Sequence, residues 1–275
     1  MKPVIFNEKI SNMDIDALFE AFNESGLVAI TGNKATENEQ LEIAIAFGDR
    51  CNWIPNSNKK NFYTYKEDHS LTFLEKLKSE PCAEELLDER ILVNWHLEHI
   101  HKRPMYVGAI WVMKTFNCSR FDGMTGFVDA CELIDELKSD EVEFLKCCRI
   151  RYDENNLIYK SVQNTISYTE LNHVPAIDIH RTNSKNILRL TPAFDGEHLV
   201  SFKNREPSVS EVATFSEIKN KICNLVWKNR NIQFWWTWEE GDLLIVDLSR
   251  MYHSVTGGFK IGQRELIGIH CTDNV

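Results

Sequence analysis

The chain is short of positive charge: 31 lysines and arginines stand against 41 aspartates and glutamates, a net charge of −10 over 275 residues. Phosphate backbones and anionic lipid surfaces are held by clustered cations, so this balance counts against nucleic acid or a membrane as a main partner. The nearest approach to a basic patch is His99-Ile-His-Lys-Arg103. Long apolar runs are missing too. No stretch approaches a membrane span, and the opening residues, Met-Lys-Pro-Val-Ile-Phe-Asn-Glu-Lys, lack the apolar core of a secretion signal. None of the eight cysteines falls in a Cys-x-x-Cys pair, and in a chain of this length an even count does not imply disulfides. Reduced thiols and a cytoplasmic location are the expectation. Repeats, low-complexity tracts and an interdomain linker are all absent, so residues 1–275 read as a single domain with a sizeable core.

What is present is a mixture of short strands and amphipathic helices. Leu18, Phe19 and Phe22 lie on helical spacing over Asp14–Asn23, with Asn12 or Asp14 available as cap and Gly26 as stop. Leu27–Thr31 reads as a strand and Thr36–Ala46 as a second helix. Residues 51–93 are polar and irregular, broken by Pro55 and Pro81, with helical patterns at 70–79 and 83–90. They read as a lid and specificity region or as a surface insertion. Met105–Phe116 reads as a central strand, Phe127–Lys138 as a helix, and Phe144–Tyr152 and Ile187–Leu190 as strands. Ser208–Lys228 is helical. The aromatic run Phe234-Trp-Trp-Thr-Trp238 suits core packing better than a substrate cage. The whole fits a β-sandwich with helical padding, mainly β with helices (α+β).

Chemistry enters with Trp95-His96-Leu97-Glu98. Alternation along a strand puts residues i and i+2 on one side, so His96 and Glu98 can aim at one point. Alone the triplet says little. With nine histidines and 41 acidic residues, about one such spacing arises by chance, and a surface hydrogen bond explains it as well. Its context adds weight. Gly241-Asp242 followed by Leu-Leu-Ile-Val246 reads as a turn and a buried strand, with His253 at its end or just beyond. Gly257-Gly258 then turns the chain, and Arg264–Ile269 returns as a strand, a hairpin that would bring Arg264 back towards His253. An arginine fork suits a carboxylate, although a surface salt bridge is the plainer alternative. Two histidines and one carboxylate on one face of an octahedron form the set that non-haem iron(II) oxygenases use.

Several segments, in order, resemble the iron(II)- and 2-oxoglutarate-dependent oxygenases of the taurine dioxygenase and clavaminate synthase type. They are Gly26–Thr31 with Glu37–Gly48, Trp95–Glu98, Arg103–Tyr106, Gly123–Asp129, Pro175–Leu190 and Gly241–Arg264. The resemblance implies a double-stranded β-helix (jelly-roll) core. It implies iron ligands at His96, Glu98 and His253, with Arg264 and Thr125 on the distal carboxylate of 2-oxoglutarate. Thr125 could otherwise be a turn or capping residue. The chain departs from the family at Met124, Leu248 and Ser254, where aspartate, asparagine and glycine are common, which touches the hydrogen bonds around the ligands.

The implied activity is a dioxygenase using Fe(II), 2-oxoglutarate and O2 to hydroxylate or desaturate an unactivated C–H of a small polar metabolite. An amino acid or derivative is the first expectation and a taurine-like sulfonate the second. A zinc hydrolase using the same ligands, or a binding protein that has lost catalysis, are rivals from other classes. Arg103, Arg120 and Arg181 are candidates for a substrate anion. His99 and His101 are read as neighbours of the metal or as part of a lid, rather than as ligands. A homo-oligomer is compatible with all of this.

Overall fold

The computed structural model describes residues 2–32, 34–55, 61–64, 91–97, 102–103, 105–119, 121–152, 169–170, 173–190, 197–260 and 262–273. The side chains of 61–64, 91–94, 102–103, 152, 169–170 and 197 are not among what it describes.

Two β-sheets face one another. The larger has the strand order Val4–Phe6, Leu27–Ile30, Leu243–Val246, Tyr106–Phe116, Arg264–Asp273 and Trp53–Pro55, with Asn61–Thr64 also paired to Arg264–Asp273. The smaller runs Gln233–Trp236, Thr125–Asp129, Met251–Thr256, Ile91–His96. Pairing is antiparallel except between Val4–Phe6 and Leu27–Ile30.

The apolar runs of the large sheet are continuous because both of its faces are covered. Val28, Ile30, Ile110, Val112, Leu243, Ile245 and Ile269 pack outwards under two helices. Leu27, Ala29, Ala109, Trp111, Met113, Leu244, Val246 and Leu266 pack inwards against Phe127, Trp236, Trp238 and Met251. Period-two alternation thus sends one strand's residues into two different cores.

The covering helices start and stop where short-range chemistry dictates. Helix α1, Ile15–Ser25, is capped by Asp14, whose carboxylate accepts from the Asp16 N–H at 2.9 Å. It ends at Gly26, whose φ of 69° is the left-handed conformation a C-cap needs. Helix α2, Glu37–Cys51, opens on a capping box. Thr36 accepts from the Glu39 N–H, and the Glu39 carboxylate accepts from the Thr36 N–H at 2.8 Å. It continues a turn past the expected Ala46 because Phe47 and Cys51 lengthen its buried face. The buried Gln40 amide fastens α2 to the sheet, donating to the carbonyls of Ile110 at 2.7 Å and Ile267 at 3.0 Å.

Four expectations need correction. The helix expected over Phe127–Lys138 begins as the strand Thr125–Asp129, sandwiched between two partners, and only Ala130–Asp135 is helical (α3). The strand expected from Phe144 is helix α4 over Ser139–Lys146, followed by the strand Cys148–Tyr152. Within the irregular 51–93 region, Trp53–Pro55 and Asn61–Thr64 are edge strands of the large sheet. The patterns at 70–79 and 83–90 lie outside the described residues.

The last correction bears on the site. His253 does not end the Leu243–Val246 strand. A turn over residues 247–250 carries the chain across to the small sheet, where His253 sits within Met251–Thr256. Arg264 then returns to the large sheet, so the 257–263 connection bridges the sandwich rather than closing a hairpin. The expected helix Ser208–Lys228 is present as α5, Val209–Lys228, capped by Ser208, with Phe215, Ile218, Ile222 and Val226 buried. No described helix is long and apolar enough to cross a membrane.

Candidate active site

His96 and His253 are direct partners in the antiparallel pairing of Ile91–His96 with Met251–Thr256. Directly opposed residues of an antiparallel pair share a face. Their rings lie 4.1 Å apart between centroids, tilted by 55°, and both side chains are buried. Nitrogens at about 2 Å from one cation in a facial set are roughly 3 Å from each other, a separation these rings can adopt. The Nδ1 edge of His253 faces the Met251 carbonyl at 3.4 Å, so a proton held there leaves Nε2 for a metal. Trp111, reaching in from the large sheet, packs edge-to-face on His253 at 5.4 Å and limits the ring's rotation. Its indole nitrogen lies 3.5 Å from Nε2 of the buried His270.

On its other side His253 pairs with Phe127, two residues from Thr125 on the same strand face. Arg264, first residue of its strand, crosses from the large sheet to this one. Its Nε donates to the Gly123 carbonyl at 2.9 Å and its Nη2 to the Thr125 hydroxyl at 3.3 Å. Only 2% of Arg264 is exposed. Gly123 is needed at this crossing twice over. Its φ is +64°, and a β-carbon there would sit 3.0 Å from Arg264 Cδ and 3.1 Å from Cys118 Sγ. Burial pushes the Cys118 thiol up to about 11 despite the attraction of the Arg264 charge, so it stays a neutral neighbour.

The polar groups thus fall into two sets on one inner surface, paired imidazoles and a guanidinium–hydroxyl pair. Imidazole nitrogens side by side suit a divalent transition metal. A buried guanidinium beside a hydroxyl suits an acceptor-only anion such as a carboxylate better than it suits water. Among the described residues no third His, Cys, Asp or Glu joins the two histidines. Glu98, the expected third ligand, lies outside the described residues, as do His99, His101 and Arg120. The Arg103 backbone is in the strand Lys102–Arg103. Arg181 donates to Asp273 at 3.0 Å, and the other oxygen of that carboxylate accepts from the Met105 N–H at 2.6 Å. That ties Arg181 to the sheet end.

Reading the sequence overlooked the buried charges beneath the site. Arg250, in the turn before the His253 strand, forms a two-bond fork with Asp129 at 2.9 and 2.5 Å. Asp247, in the same turn, meets Nε2 of His180 at 2.7 Å. Burial alone would push the Asp247 carboxyl up, but His180, Ser249 and Arg250 outweigh it and hold it below the usual carboxylate range. Trp238 was also overlooked as more than packing. The available signal was the rule that a buried indole N–H finds an acceptor, which here is Thr125.

Two facing, mainly antiparallel sheets padded by helices, with these polar groups on the inner surface, make a double-stranded β-helix of the jelly-roll kind. The family model described as taurine catabolism dioxygenase TauD, TfdA family matches residues 4–270, and the chain belongs to that family. Family membership makes it an iron(II)- and 2-oxoglutarate-dependent dioxygenase with a small-molecule substrate.

Solved structures share the fold. A taurine dioxygenase from Burkholderia xenovorans superposes with a TM-score of 0.65 at 12% identity, covering 100% of this chain and 90% of its own. The protein AAD-2, solved with Mn(II) and N-oxalylglycine, gives 0.65 at 13% identity, covering 100% and 95%. PvcB from Pseudomonas aeruginosa gives 0.64 at 14% identity, covering 98% and 86%. A search of curated proteins finds no sequence match.

Proposed function

We propose that His96, Glu98 and His253 hold iron(II), that Arg264 and Thr125 hold the distal carboxylate of 2-oxoglutarate, and that the enzyme oxidises an unactivated C–H of a small polar metabolite. An amino acid or derivative is the substrate class this reading favours. The cross-strand pairing of His96 with His253 carries it: two residues 157 positions apart have buried rings 4.1 Å between centroids. Chance spacing does not account for that, and buried imidazoles on one face are what a metal requires.

Bound iron(II) supplies activation of dioxygen, coupled to decarboxylation of 2-oxoglutarate to succinate and carbon dioxide. The chain's own residues bind and orient. His96 and His253 present ring nitrogens, and Met251 and Trp111 fix the second ring. Arg264 neutralises the distal carboxylate, and the crossing at Gly123 fixes where that carboxylate sits. Trp111, Phe127 and Leu266 line the interior around these groups and keep bulk water out. We also propose that 51–93, apart from its sheet strands Trp53–Pro55 and Asn61–Thr64 and the start of Ile91–His96, supplies a lid within a single domain. A taurine dioxygenase shares the fold, so sulfonates belong in the substrate screen.

Adding iron(II) and 2-oxoglutarate without oxygen should produce a weak visible charge-transfer band, lost in His253→Ala. Succinate release across a panel of amino acids and sulfonates then identifies the substrate class. A wild-type protein that gives no band, or a His253→Ala variant that keeps it, would overturn the assignment.

A further inference from the structure

Trp238 follows the strand Gln233–Trp236, whose Trp236 is the cross-strand partner of Thr125. Its Nε1 donates to the Thr125 hydroxyl at 2.8 Å. The indole is 1% exposed and held edge-on by Trp236, with ring centroids 6.4 Å apart and planes at 84°. Arg264 Nη2 donates to the same hydroxyl at 3.3 Å. A hydroxyl has one proton and two acceptor lone pairs. Both lone pairs are therefore directed at Trp238 and Arg264. Indole and guanidinium have no acceptor to offer in return, so neither can take the hydroxyl proton. Among the described residues no hydrogen bond leaves from this oxygen.

We infer that Trp238 is a positioning residue for cosubstrate binding. By filling one lone pair of Thr125 with a donor-only group, it obliges the hydroxyl to donate in the direction that remains. A carboxylate, which only accepts, complements that arrangement. A serine, amide or carbonyl in place of the indole could accept the proton and turn the hydroxyl away. This deepens the reading above and rests on Thr125 facing the distal carboxylate of 2-oxoglutarate.

The test is calorimetric binding of N-oxalylglycine to the Mn(II)-loaded protein, with no turnover involved. Trp238→Phe keeps an aromatic ring and loses the N–H. It should weaken N-oxalylglycine roughly three- to tenfold, the loss expected for one hydrogen bond between neutral groups. Mn(II) affinity should not change. Trp238→His, which keeps a ring N–H, should recover part of the loss. In a Thr125→Val background Trp238→Phe should add nothing, because the hydroxyl it orients is gone. Affinity for 2-oxovalerate, which lacks the distal carboxylate, should be the same with and without the Trp238 change. An additive loss in the Thr125→Val background, an equal loss for 2-oxovalerate, or no loss at all overturns the inference while the cosubstrate assignment stands. A wild-type protein that takes up Mn(II) but not N-oxalylglycine sinks both. Should Trp238→Phe fail to fold, Thr125→Val against Thr125→Ser tests the same geometry with the indole in place: only the valine should lose affinity, and equal losses would refute it.

Discussion

Asp129→Ala should be among the most destabilising single substitutions short of the hydrophobic core. The Asp129 side chain is fully buried and the Arg250 side chain is 3% exposed. Two bonds join them, Nε to Oδ1 at 2.9 Å and Nη2 to Oδ2 at 2.5 Å. Removing one member of a buried pair strands the other charge at a cost of about 3–5 kcal/mol. Arg250 would keep the carbonyls of Asn23 and Glu24, at 3.4 and 3.2 Å, which places the loss near the lower end. Asp129 also caps α3 through the Cys131 N–H at 2.8 Å, and losing that bond costs about 1 kcal/mol more. The total is about 4 kcal/mol. For 275 residues the unfolding entropy is on the order of 0.6 kcal/mol/K, so Tm should fall by about 7 °C. Differential scanning calorimetry reads this directly. Asp129→Leu combined with Arg250→Met removes both charges and should recover most of the loss. A fall of less than about 2 °C for Asp129→Ala, or a double variant worse than either single one, would refute the reasoning.

Asp242 supplies a pH test. Burial pushes its carboxyl up to about 6 against the pull of the Glu239 N–H, so between about pH 4 and 6 the folded state binds a proton the unfolded state has released. This group therefore makes stability fall as pH rises through that window and contributes no further slope above it. Asp242→Asn should flatten that part of the curve by on the order of 2 kcal/mol in urea titrations, and an unchanged slope would count against it. Gly126→Ala should destabilise by about 1–3 kcal/mol, because its β-carbon would lie 2.7 Å from the Trp95 ring and 2.8 Å from the Trp235 ring. Wild-type thermal stability in that variant would mean the two indoles yield freely. Arg264→Lys keeps the charge and loses the fork. The KM for 2-oxoglutarate should rise about tenfold or more with Mn(II) affinity intact, and an unchanged KM would move the carboxylate elsewhere.

The helices α1, α2 and α5 were legible because their determinants are local. Asp14, Gly26, the Thr36–Glu39 pair and Ser208 each act on a partner within four residues of themselves. Phe127-Val128 and Phe144 misled because an apolar pair next to acidic residues suits a helix or a strand equally. The pairing of Thr125–Asp129 with strands more than a hundred residues away decided the first of these.

From the sequence alone came the family resemblance, the order of the expected site residues along the chain and the cap and stop of α1, since each is carried by residue type and spacing. Tertiary structure decided which sheet each residue joins. His253 lies on the small sheet because the turn at 247–250, held by Asp129 and His180, carries the chain across the sandwich. Arg264 reaches Thr125 because Gly123 leaves room for the crossing. Trp238 takes a role beyond packing because strand register sets its indole against one hydroxyl. Contacts of this kind join residues far apart in the chain, and no local pattern encodes which face they share.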